Sequence, residues 1–175
     1  MNTTLTSCVV TTTLDSPVGP LLAGATDEGV CLLEFTEPAR QQVQFAALRR
    51  HFGDTIEPGR NEHIDRLAEE LADYFAARRR DFTVPLVLAG TPFQRRVWAQ
   101  LQRIPYGETR SYEDIGRAIG VPTGSRAVGM ANGQNRIAIV IPCHRVINKD
   151  GKLGGYGVGL RRKEYLLNLE RANGA

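Results

Sequence analysis

The sequence predicts an α+β protein in two parts, strands followed by helices and then a mostly helical part. Three observations predict it. Residues 1–90 open on β-branched and Thr-rich runs and then change to helical periodicity. From Thr91 onward, short helical segments alternate with Gly/Pro breaks. Charge divides at the same place. Residues 1–90 carry 8 Lys/Arg against 13 Asp/Glu, net −5, and residues 91–175 carry 14 against 6, net +8. A chain of 175 residues can build two small cores, and we place domains at 1–90 and 91–175.

In the first part, Ser7–Leu14 reads as a strand. Leu21–Thr26 and Val30–Phe35 flank the turn Asp27-Glu28-Gly29 and predict a hairpin. Arg40–Phe52 and His63–Arg80 read as helices. In the second of these, Ile64, Leu67, Leu71 and Phe75 recur at helical spacing, and Arg78-Arg79-Arg80 reads as its terminus. Asp81–Leu88 is a short strand or an extended linker.

In the second part, Thr91-Pro92 is an N-cap followed by a proline at the first helical position. Phe93, Val97, Trp98, Leu101 and Ile104 form a core stripe. Pro105-Tyr106-Gly107 is a turn. Ser111 caps a short helix, Tyr112–Ile119, with Ile115, Ala118 and Ile119 inward. Gly120-Val121-Pro122 breaks it, and Ser125 starts a further helix from Arg126 to about Ala131. Two short helices around a tight turn form a helix-turn-helix pattern. Its second helix carries the small residues Ala127, Gly129 and Ala131, which allow close backbone approach, and Arg126 at its start can reach outward. Arg161–Ala172 reads as a closing helix with Tyr165, Leu166 and Leu169 inward.

No apolar run is long enough for a bilayer span. The N-terminus lacks the basic-then-apolar order of a secretory signal, so the expected address is the cytoplasm. Cys8, Cys31 and Cys143 are odd in number, which argues against a disulfide framework. A site built from Cys8, Cys31, His51 and His63 matches no zinc spacing, and no metal or cofactor is expected. The basic C-terminal half suggests a polyanion; the alternative is a solvated basic surface.

The segment IAIVIPCHRVI, from Ile137 to Ile147, sets Cys143, His144 and Arg145 inside a core-like run. It reads as a buried strand ended by Pro142. The neighbouring cations favour thiolate over thiol. Adjacent strand residues face opposite ways, so His144 would reach the sulfur through a water or around a bend. A histidine base needs a carboxylate to orient it. Of the six carboxylates in the basic half, Glu170 is the best candidate, on the apparent inner side of the last helix.

These residues resemble the O6-alkylguanine-DNA alkyltransferases, the methylated-DNA–protein-cysteine methyltransferases. PCHRV at Pro142–Val146 is similar to their active-site motif. TPFQRRVW at Thr91–Trp98, IPYGETRSY at Ile104–Tyr112, RAVG at Arg126–Gly129, ANGQN at Ala131–Asn135, GYGVGL at Gly155–Leu160 and RKEYLLNLE at Arg162–Glu170 follow in the family order. TLDSPVGPL at Thr13–Leu21 resembles the family's N-terminal hairpin. The resemblance implies a ribonuclease H-like N-terminal domain with a small antiparallel sheet and helices, and a winged helix-turn-helix-like C-terminal domain. It implies a single-turnover DNA-repair enzyme that transfers an alkyl group from O6-alkylguanine, and O4-alkylthymine, to Cys143.

On that resemblance His144 is the base acting through a water, Glu170 its carboxylate partner, and Tyr112 the phenol that assists the leaving guanine. Asn135 orders the turn before the active-site strand. Arg126 is the finger that replaces a flipped base, with Ala127, Gly129, Ser111 and Tyr112 against the minor groove. Tyr156, Gly157, Val158 and Gly159 line the guanine pocket. The partner implied is double-stranded DNA, bound by a monomer that could act cooperatively on it. Two residues depart from the family pattern: Arg136 stands where many relatives have proline, and Val158 where they often have a small residue. Three rival readings remain: a lesion sensor without transfer, a cysteine hydrolase, and a transcription regulator.

Overall fold

The computed structural model describes residues 7–156 and 159–174. It divides into two compact units, Met1–Ala89 and Gly90–Ala175.

Among the described residues the first unit is a four-stranded sheet with two helices. The strands are β1 (Val9–Leu14), β2 (Leu21–Ala25), β3 (Val30–Phe35) and β4 (Ile56–Pro58), in the order β3-β2-β1-β4. β1–β2 and β2–β3 are antiparallel, as the hairpin reading requires. β4 runs parallel to β1, pairing Val9 with Ile56 and Thr11 with Pro58. The sheet is therefore mixed and not purely antiparallel. The cause is α1 (Pro38–Phe52), which carries the chain across between β3 and β4. Every residue of β2 and β3 is buried, so these strands lack polar alternation, Glu34 alone interrupting the apolar run of β3.

The second helix, α2 (Glu62–Phe75), is capped by Asn61, whose side chain accepts from the His63 and Ile64 amides. It ends five residues before Arg80, and the arginine run lies beyond it. Arg78 N–H donates to Asp73 O at 2.8 Å and Ala77 N–H to Tyr74 O at 3.0 Å. With Ala77 at φ +59°, this is a Schellman stop made without glycine. Leu86 forms a parallel bridge to Val30, so 81–88 is extended chain that touches the sheet once.

The second unit is mostly helical. α3 (Pro92–Leu101) starts on a full capping box between Thr91 and Gln94. Gly90 lies on Trp98, and a Cβ there would come within 2.5 Å of the indole. α4 (Tyr112–Ala118) starts on a second box between Ser111 and Asp114. Its inner face is Ile115, Gly116 and Ile119; Ala118 is exposed, because a seven-residue helix buries only one narrow side. α5 (Ser125–Gly133) begins one residue early, with Gly124 at the cap and no side-chain cap bond from Ser125. α6 (Leu160–Asn173) buries Lys163, Leu166, Leu167 and Glu170; Tyr165 is exposed and Leu169 half-buried. A short parallel pair, β5 (Arg110–Ser111) with β6 (Val146–Ile147), completes the unit.

Candidate active site

The run Ile137–Pro142 is buried but is not a strand. Ile137–Ile141 folds as turns, with Val140 N–H to Ala138 O at 2.8 Å and Ile141 N–H to Ile137 O at 3.0 Å. Ile139 takes φ +71°, a conformation a β-branched residue rarely adopts. Asn135 holds the turn from inside. Its Oδ1 accepts from Ile137 N–H at 3.0 Å, and its Nδ2 donates to Ile141 O at 2.8 Å. Cys143, His144 and Arg145 then form one 3₁₀ turn, all buried. Strand alternation therefore does not apply to Cys143 and His144. Pro142 lacks the donor a ladder needs, and the turn satisfies the chain instead.

Glu170 sits beneath this turn, 1% exposed, from α6. One carboxylate oxygen bonds His144 Nε2. The other accepts from Arg145 Nε at 2.6 Å and from Gly107 N–H at 3.3 Å. Burial alone would raise the Glu170 carboxyl. The hydrogen bonds from His144 and Arg145 and the Arg145 charge outweigh it and hold the group well below the usual carboxylate range. Burial lowers His144, with Glu170 offsetting only part. The stable state is therefore an ionised Glu170 that accepts the Nε2 proton of a neutral imidazole. His144 Nδ1 is then a bare acceptor, and it has no hydrogen-bond partner among the described residues. Arg145 is fixed further by Ile104 O at 2.7 Å and by the Tyr106 ring, 5.7 Å away.

Tyr112 opens α4 beside this centre. Its half-burial, then negative charge at Cys143, push the phenol up, so it stays protonated at neutral pH. A Cβ on Gly129 of α5 would lie 3.8 Å from the Tyr112 ring. Arg126 and Ala127 are exposed on the first turn of α5. Ser111 Oγ accepts the Asp114 amide as a cap. Tyr156 is half-buried and Gly159 exposed. Gly157 and Val158 lie outside the described residues. A cavity of about 560 Å³ opens at the end of α3 and on α4, lined by Arg103, Ile104, Arg110, Asp114 and Arg117 among others. Cys143 does not line it.

Two partners went unread in the sequence. Lys163 is wholly buried, and its Nζ donates to Val146 O at 2.6 Å, Leu153 O at 2.5 Å and Gly155 O at 3.3 Å. Burial lowers it to about 8, while charge at Cys143 raises it. Lysine normally reads as surface; the one available sign was its spacing, seven residues before Glu170 on the same helix face. Asn132, 4% exposed, donates from Nδ2 to Cys143 O at 3.4 Å. Among the described residues no three His, Cys, Asp or Glu side chains gather as metal ligands. Cys8 instead donates to Glu57 at 3.0 Å, and burial pushes the Cys31 thiol up to about 12.

Residues 9–88 match the model of the 6-O-methylguanine DNA methyltransferase ribonuclease-like domain, and residues 92–172 that of the same family's DNA binding domain. The chain belongs to the 6-O-methylguanine DNA methyltransferase family. It is similar to the methylated-DNA–protein-cysteine methyltransferase of Mycolicibacterium paratuberculosis, 46% identical over 91% of this chain and 90% of that one. The constitutive methyltransferase of Bacillus subtilis is 40% identical, over 91% and 94%. Among solved structures, the O6-methylguanine methyltransferase of Mycobacterium tuberculosis superposes with TM-score 0.78 at 44% identity over 94% of both chains. The OGT of that organism, in complex with DNA, gives 0.78 at 45% over 92% of both. Family membership bears out the α+β reading and the ribonuclease-like character of the first unit. No described helix is long and apolar enough to cross a membrane.

Proposed function

We propose that this protein repairs DNA directly, transferring the alkyl group of O6-alkylguanine, and of O4-alkylthymine, irreversibly to Cys143. The observation that carries the reading is the buried His144–Glu170 pair formed beside the thiol. Sulfur must attack as thiolate, and a neutral imidazole with a fixed tautomer can take its proton. Glu170 then stabilises the imidazolium without itself titrating. Tyr112 donates a hydrogen bond to the departing guanine. The product is a thioether with a poor leaving group, so one molecule repairs one lesion and no cofactor takes part.

The second unit is the DNA-binding part. Its relatives include an OGT solved in complex with DNA, its charge is +8, and α4–α5 form the helix-turn-helix. The carbon attacked is stacked inside a duplex, so the nucleotide must be flipped out, at a cost of a few kcal/mol. Exposed Arg126 fills the gap from the minor-groove side. Ala127 and Gly129 let α5 approach closely, and the Ser111 hydroxyl can donate to a phosphate. Asn135 keeps the turn before Cys143 in place. Tyr156, Gly157, Val158 and Gly159 enclose the base. The protein works in the cytoplasm as a monomer that can bind neighbouring sites cooperatively.

The test is mass spectrometry of the Cys143 peptide after mixing with an O6-methylguanine duplex. One added methyl per molecule, with no further turnover, is expected. Tight binding with unmodified Cys143 would instead make the protein a sensor; repeated turnover of a small ester without DNA would make it a hydrolase.

A further inference from the structure

Two buried side-chain atoms at the Cys143–His144 turn have no partner among the described residues. One is His144 Nδ1, on a wholly buried ring. The other is Oδ1 of Asn132, whose own Nδ2 is hydrogen-bonded to the Cys143 carbonyl. That bond fixes which end of the amide is which, because an oxygen turned to the carbonyl would be repelled. Both remaining atoms are acceptors, since His144 Nε2 already carries the proton given to Glu170. Buried acceptors in native proteins are normally met by a donor, and a single water supplies two hydrogens.

We propose that Asn132 is a positioning residue for alkyl transfer, its side-chain oxygen and His144 Nδ1 together holding the water through which the Cys143 proton leaves. The water donates one hydrogen to each acceptor, and its own lone pair faces the thiol. As sulfur attacks, the S–H bond breaks and that proton joins the water. The water passes its other proton to Nδ1, so water is regenerated and the imidazole becomes imidazolium against Glu170. The sulfur pair forms the S–C bond. The C–O6 bond breaks, and its pair stays with the guanine, hydrogen-bonded by Tyr112. Asn132 exchanges no proton; it fixes the water's orientation, so that the hydrogen shared with the imidazole is the one that moves. This places a residue of α5, the helix proposed to enter DNA, in direct contact with the proton path. The inference deepens the proposed function and rests on it.

The test compares wild type with Asn132→Ala and Asn132→Ser. The first readout is the pH profile of Cys143 carbamidomethylation by iodoacetamide, followed on the Cys143 peptide to separate it from Cys8 and Cys31. The second is methyl transfer from an O6-methylguanine duplex, with both corrected for folded fraction by circular dichroism. Asn132→Ala is expected to slow both reactions at pH 7 about tenfold, one hydrogen bond's worth, and to move the carbamidomethylation midpoint to higher pH. Asn132→Ser keeps an oxygen acceptor but loses the amide donor, and should recover most of both. A wild-type pH profile in folded Asn132→Ala would overturn the proposal. So would equal losses in both variants, which would leave only the carbonyl hydrogen bond. If Asn132→Ala does not fold, a wild-type-like Ser variant supports the proposal and a shifted one overturns it. A wild type that shows the expected thiol profile but takes no methyl would sink the repair reading alone.

Discussion

Each unit buries a helical glutamate, and the two are built differently. Glu70 of α2, 3% exposed, accepts from Thr83 N–H at 3.1 Å, Thr83 Oγ1 at 2.6 Å and Val84 N–H at 3.3 Å, with Arg66 outside. Glu170 of α6 accepts from an imidazole and a guanidinium that follow a cysteine in the chain. The first set of donors fixes an extended segment beside a helix and exchanges no proton at neutral pH. The second contains an imidazole, a group that can exchange one. A buried carboxylate is thus a weak sign of chemistry by itself; the partner decides. The same contrast holds across the units. Buried polar residues of the first are Thr26, Glu34, Gln44 and Glu70, whereas the second buries Asn132, Asn135, His144, Arg145, Lys163 and Glu170 around one thiol.

The sharpest way to test that contrast is Cys143→Ala, which should abolish transfer while duplex affinity in a gel-shift titration stays at the wild-type value. Next comes the glutamate pair. Glu170→Gln should cost about 3–5 kcal/mol of stability, because Arg145 loses a buried counter-charge. It should also slow transfer at least about 10²-fold. Glu70→Gln should cost about 1–3 kcal/mol and leave transfer per folded molecule unchanged. Denaturant melts and rapid-quench assays of both variants decide, and equal losses of transfer would erase the difference between the two carboxylates. Arg126→Ala should slow repair of duplex DNA about tenfold to a hundredfold, since stacking of that kind is worth roughly 1–3 kcal/mol. Reaction with free O6-benzylguanine should not change.

A smaller effect is in pH. His144 and Glu170 are both held below their ordinary values. The unfolded chain therefore takes up protons first as pH falls. The stability these groups give is present above their unfolded values, about 6.5 and 4.3. It is lost as pH falls through the folded ones, Glu170's at about 2. Transfer should accordingly persist below pH 6.5, and an acid limb at or above the ordinary histidine value would show an imidazole that is not held neutral. The smallest expected effect lies in the first unit. Ala77→Gly at the Schellman stop should raise stability by roughly 1 kcal/mol, read as a shift in thermal midpoint, because φ +59° suits glycine better.

Much of this was legible in the sequence, and the misses have causes. Thr91 and Ser111 announce themselves through side chains that satisfy local backbone groups, and the Leu21–Phe35 hairpin through its turn Asp27-Glu28-Gly29. Glu170 was legible because a carboxylate among leucines needs a partner. β4 is three residues long and ends on proline, too short for a periodic pattern. The stop of α2 was hidden because alanine fills the left-handed position. The 3₁₀ turn at Cys143 was read as strand because five apolar residues look alike in either form, and the backbone reversal at Ile139 leaves no mark in composition. Lys163 was missed because its partners are carbonyls, which every residue has.

Ile139 carries a further consequence. Its backbone angle is one that isoleucine would abandon if left alone, and three bonds from Asn135, with burial all round, keep it there. The reactive pentapeptide owes its posture to residues outside itself. Grafted onto a foreign scaffold, PCHRV would travel as letters without a shape, and an engineer who wanted its reactivity would have to transplant the whole stretch from Asn132 through Ile147 together with the helix beneath it.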